Sequence, residues 1–409
     1  MFLKLAWQSL AHRRGSVLLA VLSVAVSLFV LLGVEQVRSQ AKSSFNRTVS
    51  GVDLIAGARG GQLNLLLYSV FHIGGATRNI SWDSYREIAR HPRVAWTIPI
   101  SLGDSHRGYR VVGTSREFFT RYRYGRGRPL AFAGGGPFAG LYDTVLGAEV
   151  AEQLGYRRGD SLVLTHGLGR AGFSDHGDRP FTAVGVLEPT GTPVDRALYV
   201  SLEAVEAIHR HWPGATDGPA AGDDLTPGSI TAFMLGLDSR VAAFQVQRQI
   251  NEFRGEPLMA ILPGAALAEL WQQLRGVENI LLAISALVVL ASLLGLGIML
   301  LASMRERRRE IALLRAVGAG PLYLFALVQA EALLVLLLGT GTAIAALGTA
   351  LWLARPLAAQ YGIYLDGLSQ GGQTLAQLGA VLLGTLALGL VPSLGACRQS
   401  LHGELAREG

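Results

Sequence analysis

The chain has 409 residues, half of them hydrophobic and only 16% charged, where a soluble domain carries about 25% charged residues. That shortage excludes a protein whose whole surface faces water. The formal charge of +6 does not point to nucleic acid, because the basic residues gather beside apolar blocks, where they orient a membrane protein.

Residues 1–15 read as a basic, amphipathic cytoplasmic segment ending in His12, Arg13 and Arg14. Ser16 to Val34 is free of charge and rich in Leu, Val and Ala. A bilayer core of about 30 Å needs about 20 such residues in a helix, whereas the apolar part of a cleaved signal is about 7–15 residues long. Residues 16–34 are therefore expected to be an uncleaved first span.

Residues 35–278 lack long apolar stretches and alternate short strand-like and helix-like segments. Strands are expected at Val52–Ile55, Val94–Ile100, Tyr109–Gly113, Thr144–Leu146, Ser161–Thr165, Phe181–Val186, Ala197–Val200 and Ile230–Leu237. Between them the periodicity predicts helices over Ser81–Arg90, with Ser81 as N-cap, and over Ala148–Leu154, closed by Gly155. Further helices are expected at Leu202–His211 and Arg240–Phe253. The alternation predicts an α+β domain, and the single cysteine, Cys397, leaves it no disulfides. The Gly-, Pro- and Asp-rich stretches 167–180 and 213–228 read as exposed loops.

Three more spans follow, at residues 279–304, within 321–353, and at 376–394, with a short external loop at 354–375 and a tail at 395–409. Small residues let helices approach closely in lipid, and Ala291 with Gly295, and Gly341 with Ala345, have the required spacing. The fourth span carries Gly379, Gly384 and Gly389. The arginine-rich flanks, above all Arg305, Arg307, Arg308, Arg309 and Arg315, fall on one side if both termini are cytoplasmic. The expected fold is thus a membrane α-helical protein of four transmembrane helices, with a large extracytoplasmic α+β domain inserted between the first two.

The segment 305–320, RERRREIALLRAVGAG, combines an arginine cluster with Ile311, Leu314 and Val317 at helical spacing. A solvated positive-inside loop needs the arginines but no apolar face; a docking helix needs both. The run Arg309-Glu310-Ile311-Ala312-Leu313-Leu314-Arg315-Ala316-Val317-Gly318-Ala319 resembles the signature of the FtsX/MacB-type permease family, as do the opening Leu5 to Leu10 before Arg13-Arg14 and the tail Pro392 to Leu405. Ser400 stands where that family commonly has Pro. The resemblance implies a cytoplasmic coupling helix built on Arg309, Glu310, Ile311, Leu314, Arg315, Ala316 and Gly318, and a MacB-like periplasmic domain outside. It also implies an ABC ATPase subunit as partner, with a second permease copy or a paralogue, and a periplasmic adaptor or substrate protein. The expected location is the inner membrane.

No GxxxxGK[ST] phosphate loop occurs, so ATP is expected to be bound by a partner chain and no cofactor or catalytic residue is assigned here. Glu331, an intramembrane carboxylate if its helix begins near Pro321, reads as a polar anchor between helices rather than a proton relay. His209 and His211, and the loop group His166, Asp175, His176 and Asp178, read as surface residues rather than a metal site. The alternative from another class is a membrane-anchored sensor or scaffold with no ATPase partner.

Overall fold

A computed structural model describes residues 13–48, 50–125, 127–167, 179–210, 224–306, 313, 316–359 and 371–405. They divide into two compact units, one from the described parts of 1–40, 275–357 and 365–409, the other built on Ala41–Leu274.

The first unit is built on most of helices Arg14–Thr48, Pro263–Glu306, Pro321–Ala359 and Gly372–Leu405, each with a stretch long and apolar enough to cross a membrane. All four expected spans are present. Their ends differ from the expected ones: the first helix runs on past residue 34, and the second begins well before residue 279. Hydropathy marks where lipid-facing side chains stop, and a helix that continues with polar residues leaves no such mark.

Pairing fixes the register of the first two helices. Arg13 forms an ion pair with Glu306 and donates to the carbonyl of Ser303 at 3.2 Å. Ser23 bonds Ser292 at 3.3 Å, Ser27 donates to the carbonyl of Val288 at 3.4 Å, and Arg38 pairs with Glu278 at 3.4 Å. Partners descend in one helix as they ascend in the other, so the pair is antiparallel, and its hydroxyls find acceptors where lipid supplies none. The third helix approaches the first at Gly339, where an added Cβ would lie 2.6 Å from Val24 Cγ1. Here the expected small-residue contacts need correction. Gly341 and Gly295 have open space around the Cβ position and Ala345 is exposed, while Gly339 with buried Ala343 makes the helix contact.

The outer unit is built on one mixed sheet. Its strands lie in the order Leu258–Ile261, Leu54–Ala58, Ala232–Leu237, Val94–His106, Tyr109–Thr114, Ala197–Ser201, Asp143–Leu146, Phe181–Leu187 and Phe132–Gly135. Tyr109–Thr114 pairs in parallel with Ala197–Ser201, as Asp143–Leu146 does with Phe181–Leu187; the other neighbours are antiparallel. Helices pack on this sheet through Phe118, Phe119, Tyr199 and Phe233, giving the expected α+β fold. Local signals hold: Ser81 caps Trp82–Ala89 by accepting from the Ser84 N–H at 3.3 Å, and Gly155 closes Ala148–Leu154 in the left-handed conformation, φ 71°. Tertiary pairing overrode others. The strand expected at Ser161–Thr165 is two short strands, Ser161–Leu162 and Thr165–His166, because they pair with different partners. The strand expected at Ile230–Leu237 likewise divides into Ser229–Ile230, which pairs with Ile80–Ser81, and Ala232–Leu237. The helix expected at Arg240–Phe253 is a 3-10 turn over Arg240–Ala242 followed by the α-helix Ala243–Asn251.

Candidate functional site

The proposed coupling segment lies mostly outside the described residues, including Arg309, Glu310, Ile311, Leu314 and Arg315. Its described members show a helical turn. The Val317 N–H donates to the carbonyl of Leu313 at 3.1 Å, Ala316 lies within that turn, and Gly318 follows at φ 101°, which suits glycine at a helix end. Leu313 and Val317 expose their apolar side chains in the single chain.

Within the four-helix unit, the Arg38 guanidinium gathers three helices. It meets Glu35 at 3.1 Å on its own helix, Glu278 at 3.4 Å on the second and the side-chain oxygen of Gln373 at 3.0 Å on the fourth. A planar fork with several donors suits such a junction. The two carboxylates offset its charge. Glu331 sits well inside the helix Pro321–Ala359 and is buried beside Ala332, which belongs to the helix-packing core with Val335. Two residues earlier, the Gln329 amide donates to the carbonyl of Leu386 at 3.2 Å, linking the third and fourth helices.

The outer domain brings together residues that the sequence kept in separate groups. Asp104, on Val94–His106, lies where that strand's pairing with Tyr109–Thr114 shifts register between Leu102 and Ser105. Such a bulge re-aims side chains. Opposite it in antiparallel register is His166, held by the Gly167 N–H donating to the Gly103 carbonyl at 3.1 Å and by Ser105 Oγ donating to the Gly167 carbonyl at 2.6 Å. His209 comes from the last turn of Leu202–Arg210. His166 Nδ1 is 3.1 Å from Asp104 Oδ1, His209 Nε2 is 3.3 Å from the same oxygen, and the two ring nitrogens are 3.2 Å apart. Asp104 is 2% exposed, and the hydrogen bond it accepts from His209 raises that imidazole's pKa above the usual value. Among the described residues, these three are the group whose ligand atoms converge closely enough to hold a metal ion. The companions expected from sequence, His211, Asp175, His176 and Asp178, lie outside the described residues. Nearby His106 is a satisfied core residue, bonded to the Val163 carbonyl at 2.6 Å and the Tyr156 hydroxyl at 2.9 Å.

Compared with known proteins, residues 16–253 match the MacB-like periplasmic core domain and residues 282–401 the FtsX-like permease C-terminal domain. Among solved structures, the chain is similar to the periplasmic region of MacB from Actinobacillus actinomycetemcomitans, at 11% identity and a TM-score of 0.35 over 54% of this chain and 94% of that one. It is similar too to the extracellular domain of the noncanonic ABC-type transporter YknZ from Gram-positive bacteria, at 10% identity and a TM-score of 0.32 over 51% and 98%. None of the curated proteins matches the sequence.

Proposed function

The chain belongs to the FtsX/MacB-like family of ABC-transporter permeases, and from that premise we propose that it couples ATP hydrolysis on a separate ATPase subunit to movement of its outer domain. It is an ABC-permease component of the inner membrane. In the proposed arrangement both termini are cytoplasmic and the chain works as a dimer, with a second copy or a paralogue. The work done is export or release of a lipoprotein, peptide or small toxic compound outside the membrane.

The observation that carries this reading is the continuity of the helices flanking the outer domain. Arg14–Thr48 and Pro263–Glu306 have 35 and 44 residues, roughly 50 and 65 Å at 1.5 Å per residue, against an apolar core of about 30 Å. The first runs unbroken past Gln40 and the second starts before Arg275, so each contributes residues to the outer domain. There Phe45 of the first helix packs on Trp271 of the second at 5.7 Å and on Phe71 at 4.4 Å between ring centroids. The Thr48 carbonyl also accepts from the Tyr122 hydroxyl at 2.6 Å. A displacement delivered near Glu306 would enter the same helix that contributes residues to the outer domain.

The test replaces Ile311 and Leu314 together with Asp. An unpaired charge in a buried interface costs several kcal/mol, enough to abolish a modest contact. The double variant is expected to reach the membrane but lose co-purification with the ATPase and stimulation of its turnover. Replacing Arg307 and Arg308 with Ala is expected to do much less, since solvated charges contribute about 0–1 kcal/mol each. Normal stimulation by the double Asp variant would refute the coupling role.

A further inference from the structure

We propose that Asp104, His166 and His209 form a binding site for one divalent transition-metal ion, Zn2+ by the character of its donors, in the outer domain. This departs from the sequence reading, in which both histidines are surface residues, and it is independent of the coupling proposal.

The first argument is geometric. Zinc bound by imidazole nitrogen or carboxylate oxygen at about 2.0–2.1 Å in a tetrahedron separates its ligand atoms by about 3.3 Å. The three ligand atoms here stand 3.1, 3.3 and 3.2 Å apart, so they outline one face of that tetrahedron. The imidazole rings meet edge to face, with an interplanar angle of 73°, rather than stacking.

Each ring nitrogen presents one lobe, either an N–H or a lone pair, and a carboxylate oxygen can accept two hydrogens. When both nitrogens donate to Asp104 the carboxylate is satisfied, and the two N–H groups stand 3.2 Å apart with no bond between them. A cation at the centre instead takes a lone pair from all three atoms.

Two features around the site fit a ligand set. His209 Nδ1 donates to the Val205 carbonyl at 2.7 Å, which turns Nε2 toward the other two ligand atoms; metal-bound histidines are oriented in this way by a bond from the other nitrogen. Asp104 is a buried carboxylate that, among the described residues, meets only these two imidazoles and no Lys or Arg. A buried carboxylate requires a compensating charge, and a metal ion supplies it. Two nitrogens and one oxygen suit zinc and its first-row neighbours rather than Mg2+ or Ca2+. Three protein ligands leave a fourth position for water or for a donor group of a bound molecule.

The experiment uses the full-length, tag-free protein in detergent, stripped with a chelator and titrated with Co2+, whose intense visible bands report tetrahedral coordination, then with Zn2+ in competition. The expected result is one ion per chain, displaced by Zn2+ and not by Mg2+. His166→Gln and His209→Gln, which change partly exposed rings, are each expected to weaken binding roughly 100-fold or more, and the double variant to abolish it. Zn2+ is expected to raise the unfolding temperature of the wild type but not of the double variant. Lack of stoichiometric binding, or unchanged affinity in the double variant, overturns the site. Should a variant melt below the metal-free wild type, X-ray absorption at the zinc edge of the wild type decides. A shell of two imidazole nitrogens and a carboxylate oxygen sustains the site, and a shell of oxygen alone or with sulfur overturns it.

Discussion

Replacing Gly339 by Ala tests the contact that sets the spacing of the first and third helices. The new Cβ would stand 2.6 Å from Val24 Cγ1, 2.8 Å from Val24 Cβ and 3.3 Å from the Val21 carbonyl oxygen, where carbon atoms prefer about 3.5–4.0 Å. Val24 is 2% exposed and sits in a packed cluster with Leu28, Leu336 and Ala343, so it has little room to turn away. The helices must part by about 1 Å, and overpacking of that kind costs roughly 1–3 kcal/mol. Gly341→Ala is the matched control: the same atoms are added in the same helix, with nothing within 4 Å of the new Cβ. Any gain from alanine's higher helix propensity, about 1 kcal/mol, is then common to both and cancels. In detergent unfolding of the full chain, Gly339→Ala is expected to be less stable than Gly341→Ala by about 1–3 kcal/mol. Adding Val24→Ala to Gly339→Ala is expected to recover part of the loss, a coupling visible in a double-mutant cycle. Equal stability of the two alanine variants, or strict additivity with Val24→Ala, would refute the close approach.

Arg38→Ala strips the partner from buried Glu35 and from Glu278 and releases Gln373. The expected loss is about 2–3 kcal/mol, at or below the roughly 3–5 kcal/mol of a fully buried pair because the Arg38 side chain is partly exposed, with Arg38→Lys intermediate because it keeps the charge but loses the fork. Unfolding in micelles checks this, and a loss no larger than that of an exposed pair would refute the junction. Burial and the nearby Arg110 guanidinium push the His72 pKa down from 6.5 to about 4. The unfolded ring therefore takes up its proton at a higher pH than the folded one, and stability is lost as pH falls from about 6.5 to about 4. At 1.36 kcal/mol per pH unit the ceiling is about 3 kcal/mol, reduced because His72 retains some solvent exposure. His72→Asn, which tolerates the local φ of 57°, is expected to flatten that part of the stability–pH profile. An unchanged slope would show that other groups carry it.

What the sequence by itself determined are the features whose cause is local. Four spans were legible because crossing a bilayer demands a continuous apolar length. Ser81 and Gly155 announced their helix ends because capping depends on one side chain or one φ angle. The tertiary structure decided what depends on two distant segments meeting. Gly341 and Gly339 are equivalent in composition, and only the rotation of the third helix against Val24 makes the second one the contact. The polar continuations of the two flanking helices carry no hydropathy signal, so their length emerged only from packing around Phe45 and Trp271. Asp104 and His166 lie 62 residues apart, and His166 and His209 lie 43 apart. Their meeting rests on a strand bulge, an antiparallel register and the placement of the last turn of a helix, none of which is encoded near any one of them.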